Sequence, residues 1–197
     1  MATINDFKAV LAGGGARANQ FQVTMPFPGF AAAGGETRVM SFLCQATNLP
    51  GMTLGEVAVP FRGRQLYIAG DRTFDTWTIT VINDTDFAIR RTMEEWAQLV
   101  AQYQDGSGAT DPSSYMGSAI VRQLGRKKSN IGDGAANSKD AGLEPIAVYR
   151  FADIYPTNIS AIDLSYDTTD TIEEFTVEFT VNYWYPENKS GPAGASA

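Results

Sequence analysis

Two stretches of the chain alternate between apolar and polar residues, which is the period of a half-buried β-strand. The first, residues 74–83, has one mainly apolar face and one hydroxylated face made of Thr76, Thr78 and Thr80. The second, residues 174–183, has an aromatic and β-branched face and a polar, acidic face made of Glu174, Thr176, Glu178, Thr180 and Asn182. We therefore predict two long strands, each with one apolar and one polar side.

A different period, close to 3.6 residues, runs over residues 88–103 and predicts one amphipathic helix. Its apolar arc includes Ile89, Met93 and Trp96, and charged residues lie opposite. Shorter strands are predicted at residues 21–25, 38–44, 64–69, 118–124, 145–153 and 159–166, with turns at 70–72 and 167–170. The pattern as a whole predicts a mainly β chain with one helix docked on a sheet.

The remaining segments are rich in glycine, proline and small polar residues, and they set the expected boundaries. The chain has 197 residues, which fits one domain, and we place that domain at residues 1–185. Four segments are predicted to be irregular or only locally ordered: an N-terminal arm or short helix at 1–20, an extended loop from 49, a mobile loop at 125–142 and a flexible tail at 186–197.

Charge and composition argue against several classes of protein. The 15 Lys and Arg residues against 22 Asp and Glu give a net charge of −7, which disfavours binding to nucleic acid. The basic run Arg126-Lys127-Lys128 is short and has no interleaved aromatic residues, so a solvated loop or a protein contact is the better interpretation. The sequence shows neither the pattern of a signal peptide nor an apolar run of 18 residues, and no membrane anchor is expected.

The residues needed for common chemistry are scarce. The sequence has no histidine, so it lacks the usual general base and the commonest metal ligand, and Cys44 is its one cysteine. A cysteine without a nearby base is better interpreted as a buried thiol than as a nucleophile. The glycine run at 13–15 lacks the Gly-Lys-Ser/Thr of a phosphate loop. We predict no catalytic residue, no cofactor, no metal site and no enzymatic activity.

Four blocks of sequence resemble the tail tube proteins of contractile-tailed bacteriophages. They are FLCQATNLPG at 42–51, AGDRTFDTWT at 69–78, SAIVRQ at 118–123 and YPTNI at 155–159, and the alternating strand near the C-terminus adds to the match. The resemblance implies an antiparallel β-sandwich or split barrel with one flanking helix. It also implies that six copies close into a ring around a β-barrel channel and that rings stack into the inner tube of the tail.

The same resemblance gives the polar faces and the long loop a role. If a polar strand face lines the channel, the candidate lumen residues are Thr76, Thr78, Thr80, Glu174, Thr176, Glu178 and Thr180. The loop at 49–64 is expected to reach a neighbouring ring, and the candidate contact residues are Leu49, Pro50, Met52, Leu54, Val57, Val59, Phe61, Asp71 and Arg72. Ordinary solvent surface remains the alternative for the polar faces. A local turn remains the alternative for Asp71 and Arg72.

The implied partners are further copies of the chain, a tail sheath protein, and baseplate and tail terminator proteins, with DNA passing through the lumen without sequence preference. The implied location is the virion, after assembly in the host cytoplasm. Two alternatives stay open. The chain could form the tube of a related injection particle, pyocin-like or type VI secretion-like, or it could be a monomeric β-sandwich binding module that uses Tyr183, Trp184 and Tyr185 as an aromatic patch.

Overall fold

The computed structural model describes residues 3–10, 15–27, 40–41, 43–128, 143–167 and 169–187. The strands in these ranges are β1 (Phe21–Thr24), β2 (Cys44–Thr47), β3 (Met52–Phe61), β4 (Arg64–Phe74), β5 (Trp77–Ile82), β6 (Gly117–Lys128), β7 (Leu143–Ile159) and β8 (Glu174–Glu187). The helices are α1 (Ile4–Val10), α2 (Ala88–Val100) and α3 (Pro112–Tyr115). Six strands form one sheet in the order β1-β6-β7-β8-β5-β2, and β3 and β4 form a second. The prediction of a mainly β chain is confirmed.

The chain divides into two compact units, and the smaller one comprises the described parts of residues 1–22, 121–149 and 186–197. In this unit the Leu124 N–H donates to the carbonyl of Gln20 at 2.8 Å, and the Gln123 side-chain amide donates to the same carbonyl at 2.8 Å. These bonds attach the segment before β1 to β6. The N-terminal arm includes the short helix α1, in which Asp6 accepts a hydrogen bond from the Thr3 N–H.

The larger unit, the described parts of residues 23–120 and 150–185, holds an apolar core built on β5 and β8. These strands pair antiparallel, and the buried partners are Trp77 with Phe179, Ile79 with Val177, and Val81 with Phe175. Helix α2 covers this face with Ile89, Met93 and Trp96, all buried, and the Trp96 ring lies 6.0 Å from that of Phe179. The predicted alternation and the predicted helix are therefore confirmed, although the helix ends at Val100.

Predictions of local structure need correction in four segments, 38–44, 159–166, 125–142 and 186–197. Residues 40–41 and 43 are helical where a strand is predicted at 38–44, and the strand that follows, β2, pairs with β5. After β7 ends at Ile159 the chain is irregular, so the strand predicted at 159–166 is wrong: Leu164 and Tyr166 are exposed and no core imposes the period-two pattern there. The first residues of the mobile loop predicted at 125–142 belong to a strand, because β6 continues to Lys128. The first residues of the tail predicted at 186–197 are also in a strand, because β8 continues to Glu187. Residues 129–142 and 188–197 lie outside the described ranges.

The segment predicted as a long loop at 49–64 contains one complete arm of an extended β-hairpin, β3, and the turn that follows it. Strand β3 pairs antiparallel with β4, from Met52 opposite Phe74 to Phe61 opposite Arg64. Arg62 and Gly63 connect the strands with φ values of 45° and 81°, which is the left-handed backbone of a two-residue type I′ turn. The loop prediction failed because β3 is exposed along its whole length, so burial does not impose a simple alternation of residue types.

The turn predicted at residues 70–72 is also wrong, because these residues continue β4. The pairing register shifts at this point, between Leu54 and Glu56, as in a β-bulge. Gly70 lies against Gly55 so closely that a Cβ on Gly70 would sit 3.1 Å from the Gly55 carbonyl carbon. Glycine here serves the close approach of two backbones within a continuous strand.

Candidate functional site

The polar side chains of β5 and β8 lie side by side on one face of the sheet. In the antiparallel register Thr78 is opposite Glu178 and Thr80 is opposite Thr176, and all four are partly exposed. Glu174 and Thr180 lie on the same face of β8, at alternate positions. Six of the seven candidate lumen residues therefore form one continuous surface, which we call the polar face. The seventh, Thr76, lies in the two-residue link between β4 and β5.

Hydrogen bonds to the end of β7 and the residue after it extend and fix this surface. The Thr157 hydroxyl donates to the carbonyl of Glu178 at 3.1 Å. The Ser160 N–H donates to the carbonyl of Thr176 at 2.8 Å, and the Ser160 hydroxyl oxygen accepts from the Thr176 N–H at 2.9 Å. Neither β5 nor β8 contains lysine or arginine. The polar face thus presents hydroxyl and carboxylate groups, and its charge is neutral to negative.

The β3–β4 hairpin presents large apolar side chains to solvent. Cross-strand pairing places Val57 opposite Ile68 and Val59 opposite Leu66, with Phe61 two residues further on the same side. We call these five residues the apolar hairpin face, and their side chains are 40% to 66% exposed. A two-stranded hairpin alone is marginally stable in water, and contiguous exposed apolar residues of this kind mark interaction surfaces.

The other predicted contact residues have mixed surroundings. Leu49, Met52 and Leu54 are exposed near the base of the hairpin. Asp71 and Arg72 are exposed within β4. Pro50 is buried in its own chain and so offers no surface to a neighbour.

Sequence reasoning missed the second strand of the hairpin as part of this surface. The sequence pattern predicts a strand for Leu66 and Ile68 but a loop for their partner segment, so it does not predict the face that the two strands share. A second omission is the segment after β7, where Leu164, Tyr166 and Ile172 are exposed. The available signal was three large apolar residues in a polar, acidic stretch.

The structure gives no sign of an activated nucleophile at Cys44. The thiol is buried, and burial raises its pKa to about 12. The group stays protonated at neutral pH and is a poor nucleophile in that form. Within the described residues, no cluster of three or more Asp, Glu or Cys side chains is placed to hold a metal ion. None of the described helices is long and apolar enough to cross a membrane.

Comparison with known proteins gives matches over nearly the whole chain. Residues 16–187 match the family described as phage tail tube protein. The tail tube protein gp19 of Enterobacteria phage T4 is 31% identical over 177 residues, which cover 90% of this chain and 95% of that protein. The tail tube protein of Serratia phage KSP90 is 29% identical over 180 residues, covering 90% and 93%.

Solved structures share the fold at much lower sequence identity. The sheath–tube complex of an extracellular contractile injection system, PVC, contains a chain that is similar with a TM-score of 0.58 at 9% identity, covering 95% of this chain and 98% of that one. A chain of the anti-feeding prophage baseplate gives a TM-score of 0.56 at 9% identity, covering 88% and 95%. Identities this low establish a common fold and no more.

Proposed function

The chain belongs to the phage tail tube protein family, and from this premise we propose that it is the subunit of the inner tube of a contractile phage tail. Six copies close into a ring, and rings stack into a hollow tube. Genomic DNA passes through the channel during ejection. The role is structural and includes no catalytic step.

The observation that carries this proposal is the two-sided β5–β8 pair. One side is the buried core under α2, and the other is the polar face with its threonines and glutamates. A DNA duplex carries roughly one negative charge per 1.7 Å of its axis, so a lining of lysine and arginine would bind it strongly. A lining of hydroxyls and carboxylates lets the duplex slide, which a channel requires.

The exposed hairpin supports the self-assembly part of the proposal. Each residue of β3 is exposed in the single chain, and the side chains of the apolar hairpin face are 40% to 66% exposed within the described part of the chain. Contact with a neighbouring copy would remove these side chains from water, at roughly 25 cal/mol for each Å² of apolar surface covered. We assign the hairpin, with Leu49, Met52, Leu54, Asp71 and Arg72 near its base, to contacts between subunits or rings.

The further partners follow from the same role. A tail tube subunit of a contractile particle contacts a sheath, a baseplate and a tail terminator, and the mature location is the virion after assembly in the host cytoplasm. A tube of a related injection particle is the nearest alternative, because the structural matches come from such particles. The phage relatives favour the phage tail, because they are about 30% identical to this chain, and the injection-particle chains only 9%.

A monomeric binding module has weaker support. Tyr183 and Tyr185 are exposed and stacked, with ring centroids 6.3 Å apart. Trp184 points to the other face of β8, where its ring lies 6.1 Å from that of Phe74. The three aromatic residues therefore do not form one patch, contrary to what that alternative requires.

The channel assignment is tested by reversing the charge of the polar face. We expect Glu174→Lys/Glu178→Lys subunits to assemble into normal tubes, because neither side chain lies in the core, but to slow DNA delivery, because lysines bind phosphates. The measurement is the rate of DNA release from phage particles that carry the variant. Glu174→Gln/Glu178→Gln is the matched control, with delivery near the wild-type rate. Normal delivery by the lysine variant would remove these residues from the channel.

A further inference from the structure

Two exposed surfaces lie at opposite ends of the β5–β8 strand pair. The hairpin enters β5 through the two-residue link after Phe74, at the end where Trp77 pairs with Phe179. The segment 160–173, which we call the acidic loop, enters β8 at the other end, where the Asn83 N–H donates to the carbonyl of Glu173 at 2.8 Å. The six residues of β5 separate these ends by roughly 20 Å at about 3.3 Å per residue.

The hairpin end is apolar and basic. Arg62 forms the turn with Gly63, and Arg64 is the cross-strand partner of Phe61. The Arg62 guanidinium lies over the Phe61 ring, 5.4 Å from its centroid, and both arginines are exposed. The tip therefore presents two positive charges beside the apolar hairpin face.

The acidic loop is apolar and negatively charged. Leu164, Tyr166 and Ile172 are among the most exposed large apolar residues of the described chain. Asp163, Asp167 and Asp170 are exposed beside them, and residues 160–173 contain no lysine or arginine. The loop thus combines the same kind of apolar surface as the hairpin tip with the opposite charge.

We infer that the hairpin tip of one copy, through Phe61, Arg62 and Arg64, docks on the acidic loop of a second copy. Both surfaces are exposed in the single chain and lie at opposite ends of the same strands, so the contact joins different copies head to tail. A head-to-tail contact does not close on itself in a pair, and it can repeat indefinitely or around a ring. Opposite charges fix the partner and the orientation, while the apolar side chains supply the buried area. This inference rests on the proposed function, because it names the contact by which tube subunits join.

The experiment uses two charge-reversed versions of the whole chain. The hairpin variant is Arg62→Glu/Arg64→Glu and the loop variant is Asp163→Lys/Asp167→Lys. In either variant alone, like charges face each other across the contact. In a mixture of the two variants, the hairpin of each variant can contact the loop of the other variant, which carries the opposite charge. The helix variant Arg91→Glu, an exposed arginine on α2, is the control for a general effect of charge.

We expect each variant alone to need at least about ten times the wild-type protein concentration to form tubes. An equimolar mixture should assemble near the wild-type concentration, as measured by sedimentation and negative-stain microscopy. Thermal unfolding of each variant checks folding. If the hairpin variant does not fold, the neutral pair Arg62→Gln/Arg64→Gln is tested alone, and its assembly at the wild-type concentration would overturn the contact.

The outcomes separate this contact from the function. Wild-type assembly by either variant alone, or folded variants that fail to assemble when mixed, would overturn the docking contact and leave the tube function standing. Failure of the wild-type chain to assemble at all would instead count against the function itself.

Discussion

Replacing Phe61 and Leu66 with alanine tests whether the apolar hairpin face is buried between copies. The two side chains are 66% and 60% exposed in the single chain. Full burial of such a side chain is worth about 1.5–3 kcal/mol, so covering the exposed part of each contributes about 1–2 kcal/mol. The double variant should lose about 2–4 kcal/mol of association free energy, which weakens the contact about 30- to 700-fold.

Sedimentation velocity over a concentration series measures this loss as a shift in the concentration at which assemblies form. The free energy of unfolding of the unassembled chain should change by less than about 1 kcal/mol, because the removed atoms face solvent in the monomer. Tyr67→Ala is the matched control: Tyr67 is 60% exposed on the same hairpin but pairs with Ala58 on the opposite face. Assembly of the Phe61/Leu66 variant at wild-type concentrations, or an equal loss in the Tyr67 variant, would refute the assignment of this face.

Three further predictions concern the hairpin and the core. Gly63→Ala places a Cβ on a residue with a φ of 81° and should strain the turn by about 1–2 kcal/mol. We expect limited proteolysis to cleave the hairpin of this variant faster than that of the wild type. Cleavage at the wild-type rate would argue against the type I′ turn. Trp77→Phe removes the 2.8 Å hydrogen bond from the indole N–H to the Thr47 hydroxyl oxygen and part of the stacking on Phe151. The free energy of unfolding, measured by urea titration, should fall by about 2 kcal/mol. An unchanged midpoint of the urea transition would contradict this. Burial raises the pKa of Cys44 from 9.0 to about 12, so the thiol ionises at a lower pH in the unfolded chain than in the folded one. The contribution of the protonated thiol to the free energy of unfolding is therefore full below about pH 9, and it falls as the pH rises toward 12. Cys44→Ala should lose less stability than the wild type over this range; equal losses would count against the buried thiol.

The sequence predicted those parts of the fold in which burial imposes a period. Apolar and polar residues alternate along β5 and β8 because one face packs under α2, so the pattern alone predicts which residues lie on the polar faces. Their side-by-side placement could not be predicted, because the register of Thr78 with Glu178 depends on strand order in the sheet.

The hairpin was missed for the opposite reason. Both of its faces are exposed, so the pattern of β3 carries no clear alternation, and Gly55 and Pro60 look like loop residues. Its turn is Arg62-Gly63, whereas Asn-Gly or Asp-Gly is the usual signal for a type I′ turn. The Gly70-Asp71 pair looks like a turn but forms a bulge that faces Gly55. A hairpin that is exposed on both faces therefore gives only a weak signal in the residue pattern.

Negative-stain electron microscopy of the purified wild-type chain at high concentration tests the central claim most directly. The account predicts hollow rings with sixfold symmetry, or tubes made of stacked rings, with a visible channel along the axis. A preparation that remains a monodisperse monomer at every concentration and ionic strength tried would contradict it.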